Sequence, residues 1–115
     1  TIRELSARLA DLAARARAGA ITAADQGTPA ITISNAGMHN VTYMTSIINP
    51  GQAMILGVGS IRGVFRPDDK GQPVLRQELG LVLSADHRVM DGVAGLEFLN
   101  AIVHCLERPA QLLLH

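Results

Sequence analysis

The sequence predicts an α/β domain in which a sheet carries helices on one side. Three observations carry that reading. Apolar residues recur at three- and four-residue steps at both ends of the chain, the spacing of a helix with one apolar face. Between the two ends lie three segments of strand-like composition. One stretch within them, residues 79–85, is apolar on both faces, and a strand of that kind needs cover on each side.

Taken in order, Ile2, Leu5, Leu9, Leu12 and Ala16 fall on one helical face, while Arg3, Arg8, Asp11, Arg15 and Arg17 project elsewhere. Thr1 and Glu4 have the spacing of a capping box, so the helix can begin there, and Gly19 can end it. Residues 21–29 read as a connection, with Thr22 capping a short turn. Residues 30–35 are β-branched and alternate in polarity. Residues 36–51 carry Gly37, Asn40, Asn49 and Pro50 and read as a loop or a short extended piece. Two longer strands are expected over 52–65, interrupted by Gly57, Gly59 and Gly63, and over 74–85. Pro67-Asp-Asp-Lys-Gly71 between them has the composition of a turn, so the two pair as one hairpin. Val93, Leu96, Leu99, Val103 and Leu106 mark a second helix with a core-facing stripe, ended by Pro109 and followed by a last apolar piece at 112–114. So few strands leave sheet edges bare. Nothing in the sequence visibly covers the second face, so the chain reads as part of a larger domain or as a protomer that buries surface against its own copies.

Composition narrows the function classes. The 115 residues make one small domain, and 48% apolar residues suffice for a core. Ten basic and ten acidic side chains cancel, and with two Phe, one Tyr and no Trp this argues against a nucleic-acid partner. No apolar run approaches the roughly 20 residues that span a bilayer, and no signal peptide is visible. The single cysteine, Cys105, sits among Ile102, Val103 and Leu106 and reads as a small buried hydrophobe in a reducing compartment, the cytoplasm or an organelle matrix.

The most informative stretch is Asp86-His-Arg-Val-Met-Asp-Gly92. Imidazole takes up and releases a proton near neutral pH unaided, and here it falls where a buried strand gives way to a helix. Rigid elements on both sides fix such a group in place.

That heptapeptide resembles the active-site signature of the 2-oxo acid dehydrogenase acyltransferases, the dihydrolipoamide acyltransferase core subunits. Three further stretches resemble the same family in the same order: Ile31-Thr-Ile-Ser-Asn-Ala-Gly37, Ile47-Ile-Asn-Pro-Gly-Gln52 with Ile55-Leu-Gly57, and Pro109-Ala-Gln-Leu-Leu-Leu114. Leu12-Ala-Ala-Arg-Ala-Arg17 suits the segment ahead of the Thr-Ile-Ser-Asn strand. Four ordered motifs at compatible spacing are a specific signal. The resemblance implies a chloramphenicol-acetyltransferase-like two-layer fold, with a mixed β-sheet and helices on one side. Residues 1–115 match only the C-terminal half of the family's catalytic domain; its first half and the lipoyl and subunit-binding domains are absent. At Gln26-Gly-Thr-Pro-Ala30 the chain also departs from the family's usual glycine pair.

The family implies acyl transfer between dihydrolipoamide and coenzyme A, both acting as substrates, with no metal. A neutral imidazole beside a thiol can remove its proton during attack and return one to the departing sulfur, so one ring serves as general base and general acid. His87 takes that role. Ser34, ending the Thr-Ile-Ser strand, matches the hydroxyl that faces the developing oxyanion. In the family the two come from neighbouring subunits of a trimer, and trimers build a hollow core, cubic or larger, that gathers decarboxylase and dihydrolipoyl dehydrogenase subunits. Asp91 matches an acid that holds local structure through an ion pair, and is equally an ordinary helix N-cap. Asp86 and Arg88 brace the loop. Two alternatives stand beside this reading, a small-molecule acetyltransferase of the same fold and an inactive structural core fragment.

Other constellations are weak. His39, His87, His104 and His115 show no ligand spacing, so no metal site is expected. Gly57, Gly59 and Gly63 miss dinucleotide spacing and mark bulges or close backbone approach. Met38, Met44, Met54 and Met90 read as core or channel fillers. Leu112-Leu-Leu114 either lies under its own helix or, as in the family, docks into a neighbouring trimer.

Overall fold

The strands sort into two sheets. A computed structural model describes residues 1–114 of the chain. Within residues 30–95, β1 (Ile31–Asn35), β2 (Met54–Val58) and β5 (Leu81–Ala85) form a three-stranded sheet in the order β1-β2-β5. β1 runs parallel to β2, and β5 antiparallel to it, so the sheet is mixed as expected. β3 (Arg62–Pro67) and β4 (Pro73–Glu78) form a separate antiparallel ribbon.

The expected hairpin of two long strands is therefore corrected. Each long segment breaks once, at residues 59–61 and at 79–80, and the breaks lie opposite one another. Gly59 N–H donates to the Gly80 carbonyl at 2.9 Å across them. Two breaks at one level let both strands leave the first sheet together and re-pair as a ribbon. The turn at its tip is tied by Asp68, whose carboxylate accepts from the N–H of Lys70 at 2.9 Å and of Gln72 at 2.8 Å. Gly71 takes the left-handed conformation the turn requires, φ 77°.

The face expected to be bare is covered at the central strand only; Ile33 of β1 stays 67% exposed and no residue of β5 is fully buried. Ile55 and Leu56 are the buried hydrophobic residues of the described chain, and they are consecutive in β2. Successive strand residues point to opposite faces, so both faces of β2 are covered. On the side of Gly57 and Gly59 the cover is residues 41–44, which the sequence reads as loop. A Cβ at Gly57, Gly59 or Gly80 would lie within 2.6 Å of a backbone oxygen of Met44 or Thr42. The close approach expected at Gly57 and Gly59 is thus real, and at Gly63 the neighbour is only the Leu75 side chain. Buried Ser60 holds the crossing segment. Its N–H donates to Val41 O at 2.7 Å, and its Oγ accepts from Val41 N–H at 3.1 Å and donates to Gly37 O at 2.8 Å.

A second compact unit comprises Thr1–Pro29 and the chain from Leu96 onward. α1 (Ile2–Arg17) opens with the expected capping box at Thr1 and Glu4. It closes through Gly19, φ 69°, whose N–H donates to Ala16 O while Ala20 N–H donates to Arg15 O. α2 (Ala23–Gln26) is the short turn capped by Thr22. Asp25 is its tie: one carboxylate oxygen accepts from Thr22 N–H and Oγ, both at 2.8 Å, and the carboxylate pairs bidentately with Arg15 at 2.5 and 2.9 Å. Arg15 also reaches Asp11 at 2.9 Å. α3 (Gly92–Glu107) and a 3-10 turn over Pro109–Leu114 complete the chain.

The apolar stripes form helices as expected, but within this chain only Leu12 of the first stripe and Leu99 and Val103 of the second are half-buried. Ile2, Leu5 and Leu9 of α1 and Val93, Leu96 and Leu106 of α3 are exposed. On α3 the half-buried residues are Gly95, Leu99, Ile102, Val103 and Cys105, so the cysteine is not the buried hydrophobe expected. Met38 is exposed, against its expected place as a filler, whereas Met44, Met54 and Met90 are half-buried. Leu112 and Leu113 are exposed, which excludes burial under their own helix at those positions. The amphipathic patterns are real; the surface that would cover them is not among the described residues. No helix among those residues is long and apolar enough to cross a membrane.

Candidate active site

The signature heptapeptide begins where β5 ends. Asp86 extends the ladder by one bond, its N–H donating to Ala53 O at 2.8 Å. The chain then turns, and the Asp86 carbonyl accepts from Val89 N–H at 2.9 Å and Met90 N–H at 3.1 Å. The Asp86 carboxylate bends over the turn to accept from Arg88 N–H at 2.9 Å and from the Arg88 guanidinium at 2.8 Å (Nη2) and 3.1 Å (Nε). The Arg88 guanidinium and backbone donors beside it hold the Asp86 carboxyl down to about 2. The expected brace is therefore present. His87 stands between the two, exposed, on backbone fixed from both sides.

Four residues on, Asp91 caps α3. Its Oδ1 accepts from Ala94 N–H at 2.8 Å and its carbonyl from Gly95 N–H at 3.1 Å, the bonding of an N-cap. Of the two readings the sequence left open, this is the one formed within the chain.

Ser34 is half-buried near the end of β1, level with Gly57 of β2 and through it with Val82 of β5. Asp86 lies four residues beyond Val82, about 13 Å along the strand, and β5 is two strand spacings, about 9.6 Å, from β1. The backbones of Ser34 and Asp86 are then about 16 Å apart, before His87 is reached. Neither side chain can close that gap. One chain thus places its histidine and its serine at opposite ends of the sheet.

At the histidine's end, Thr32 of β1 ties down the stretch containing Asn49 and Gln52. Its Oγ accepts from Asn49 Nδ2 at 3.0 Å and donates to Gln52 Oε1. This network and the Ser60 clamp were not anticipated from sequence, although the glycines at 57, 59 and 80 are the signal of a chain passing close by. Among the described residues no three or more His, Cys, Asp or Glu side chains converge as a metal site; His115 lies outside them.

A family model described as the 2-oxoacid dehydrogenases acyltransferase catalytic domain matches residues 1–114. The chain belongs to this acyltransferase family. It is 39% identical over 114 residues to the dihydrolipoyllysine-residue acetyltransferase component of the pyruvate dehydrogenase complex of Rickettsia bellii, covering 97% of this chain and 27% of that protein. It is 38% identical over 115 residues to the succinyltransferase component of the 2-oxoglutarate dehydrogenase complex of Pseudomonas aeruginosa, covering 99% and 28%. Among solved structures it resembles the dihydrolipoamide acetyltransferase of Azotobacter vinelandii, a protein investigated for the role of a serine, a histidine and an asparagine in its catalytic mechanism. There the TM-score is 0.86 at 32% identity, covering 98% of this chain and 46% of that one. The chain thus spans about a quarter of the length of these curated relatives and under half of that solved chain. Its fold is the chloramphenicol-acetyltransferase-like one that the resemblance implied, in part.

Proposed function

We propose that this chain is the C-terminal half of the catalytic domain of a dihydrolipoamide acyltransferase, working in a 2-oxo acid dehydrogenase complex in the cytoplasm or the mitochondrial matrix. His87 is the general base. An imidazole nitrogen takes the proton of the coenzyme A thiol as its sulfur attacks the acyl carbon of the lipoyl thioester. The Ser34 hydroxyl donates to the oxyanion of the tetrahedral intermediate. The carbon–sulfur bond to the lipoyl group then breaks, and the imidazolium returns its proton to that sulfur. The same steps run in reverse, and no acyl-enzyme forms. Asp91 sets the start of α3 behind the turn.

The observation that carries the reading is the placement of His87 and Ser34 at opposite ends of one sheet. A site using both needs the histidine of one copy and the serine of the next, which is the trimeric arrangement the family resemblance implies. The exposed faces of α1 and α3 and exposed Leu113 give such an assembly apolar surface to bury. Coenzyme A and the lipoyl arm are the substrates. Trimers, a larger core and its decarboxylase and dihydrolipoyl dehydrogenase subunits are the partners.

The relatives divide between acetyl and succinyl transfer, so the test uses both acyl-coenzyme A esters with free dihydrolipoamide. Turnover in the assembled protein should fall by about 10²–10⁴ in His87→Ala. Undiminished turnover in that variant refutes the assignment of the base. No turnover from well-assembled wild-type protein assigns the chain to a structural core instead.

A further inference from the structure

The turn that carries His87 is organised by its neighbour. We propose that Asp86 is a positioning residue for His87, with Arg88 as its brace. This rests on the reading of His87 as the general base and extends it to the group that aims it.

Asp86 anchors the peptide on each side of the histidine. Before it, Asp86 N–H is bonded to Ala53, the residue just ahead of β2, so the turn hangs from the start of the central strand. After it, the carboxylate holds Arg88 N–H, which fixes the orientation of the peptide leaving His87. The Asp86 carbonyl closes the turn onto Val89 and Met90. The bonds that hold the backbone on either side of His87 are thus those of Asp86. A carboxylate suits the place better than an amide, because it takes the backbone donor and the guanidinium together.

The brace itself adds little stability. Arg88 is 90% exposed, and exposed ion pairs between residues so near in sequence are worth little to the fold. What the pair does is hold the carboxylate over the turn. A reacting group displaced by about 1 Å can lose on the order of 10²-fold in rate, so the effect belongs in turnover rather than in melting.

The test compares the assembled wild-type protein with His87→Ala, Asp86→Ala, Asp86→Asn and Arg88→Met, measuring kcat, both KM values and thermal melting. Asp86→Ala should lose about 10²-fold in kcat, with KM for coenzyme A and dihydrolipoamide within about two-fold of wild type. Asp86→Asn should recover about ten-fold of that loss, because an amide oxygen still accepts Arg88 N–H. Arg88→Met should lose a few-fold in kcat with unchanged melting. Full kcat in both Asp86→Ala and Arg88→Met, beside an inactive His87→Ala, overturns the positioning role and leaves the base in place. If Asp86→Ala does not fold, unchanged kcat in Arg88→Met overturns it alone. An active His87→Ala overturns both claims.

Discussion

Gly59→Ala is the sharpest test of how the chain covers its own sheet. A Cβ there would stand 2.2 Å from Thr42 O and 2.8 Å from Val41 O, where ordinary contact begins at 3.4 Å. The obstacles are backbone atoms, so no rotamer change relieves them, and the crossing segment must retreat by about 1.2 Å. That movement stretches the bond from Ser60 N–H to Val41 O from 2.7 Å to about 3.9 Å, beyond hydrogen-bonding distance. Overpacking costs about 1–3 kcal/mol and a buried polar pair left unsatisfied about 1–3 kcal/mol more. The two costs share one displacement, so a loss of about 3–4 kcal/mol is expected. For a domain of this size that lowers the melting temperature by roughly 10–15 °C. Circular dichroism melts and urea titrations measure it directly. Gly63→Ala is the control: its Cβ would meet only the movable end of Leu75, at 3.2 Å, and should change stability by no more than about 0.5 kcal/mol. If Gly59→Ala melts within a degree or two of wild type, residues 41–44 do not lie against β2 as described.

Two further outcomes follow from other parts of the molecule. Arg15 and the donors of Thr22 hold the Asp25 carboxyl well below the ordinary carboxylate range. A depressed native pKa gives stability that is complete above the unfolded value near 4 and drains as pH falls toward the native one. The melting advantage of wild type over Asp25→Asn should therefore be full at pH 7 and smaller at pH 3; a constant gap would remove the ion pair as its cause. Leu113, 73% exposed near the end of the chain, is the proposed contact between trimers. Leu113→Asp should shift the particle to a lower sedimentation coefficient with trimers intact, and an unchanged coefficient argues against that contact.

What could be read from the sequence was local. The capping box at Thr1 and Glu4, the turn at Gly71 and the cap at Asp91 each depend on residues within one turn of chain, and each formed. The strand breaks did not announce themselves, because residues 59–61 and 79–80 matter only when they lie side by side across two paired strands. The crossing of residues 41–44 was hidden for the same reason: its anchor, Ser60, is 19 positions away from Val41. The helix stripes identified helices correctly, but periodicity says that a face is apolar and nothing about what covers it. At the candidate site, the heptapeptide singled out His87 for a role still to be tested, and the Asp86–Arg88 brace beside it formed. The distance between His87 and Ser34 required the strand order β1-β2-β5, which no local pattern encodes.

That strand order has a bearing on inheritance. Under the proposed assembly each copy lends its imidazole to one cleft and its hydroxyl to another. A faulty copy that still folds and associates, yet has lost both groups, silences the clefts to its left and right. Such an allele would poison products of an intact one, whereas an allele whose product fails to associate would merely be missing.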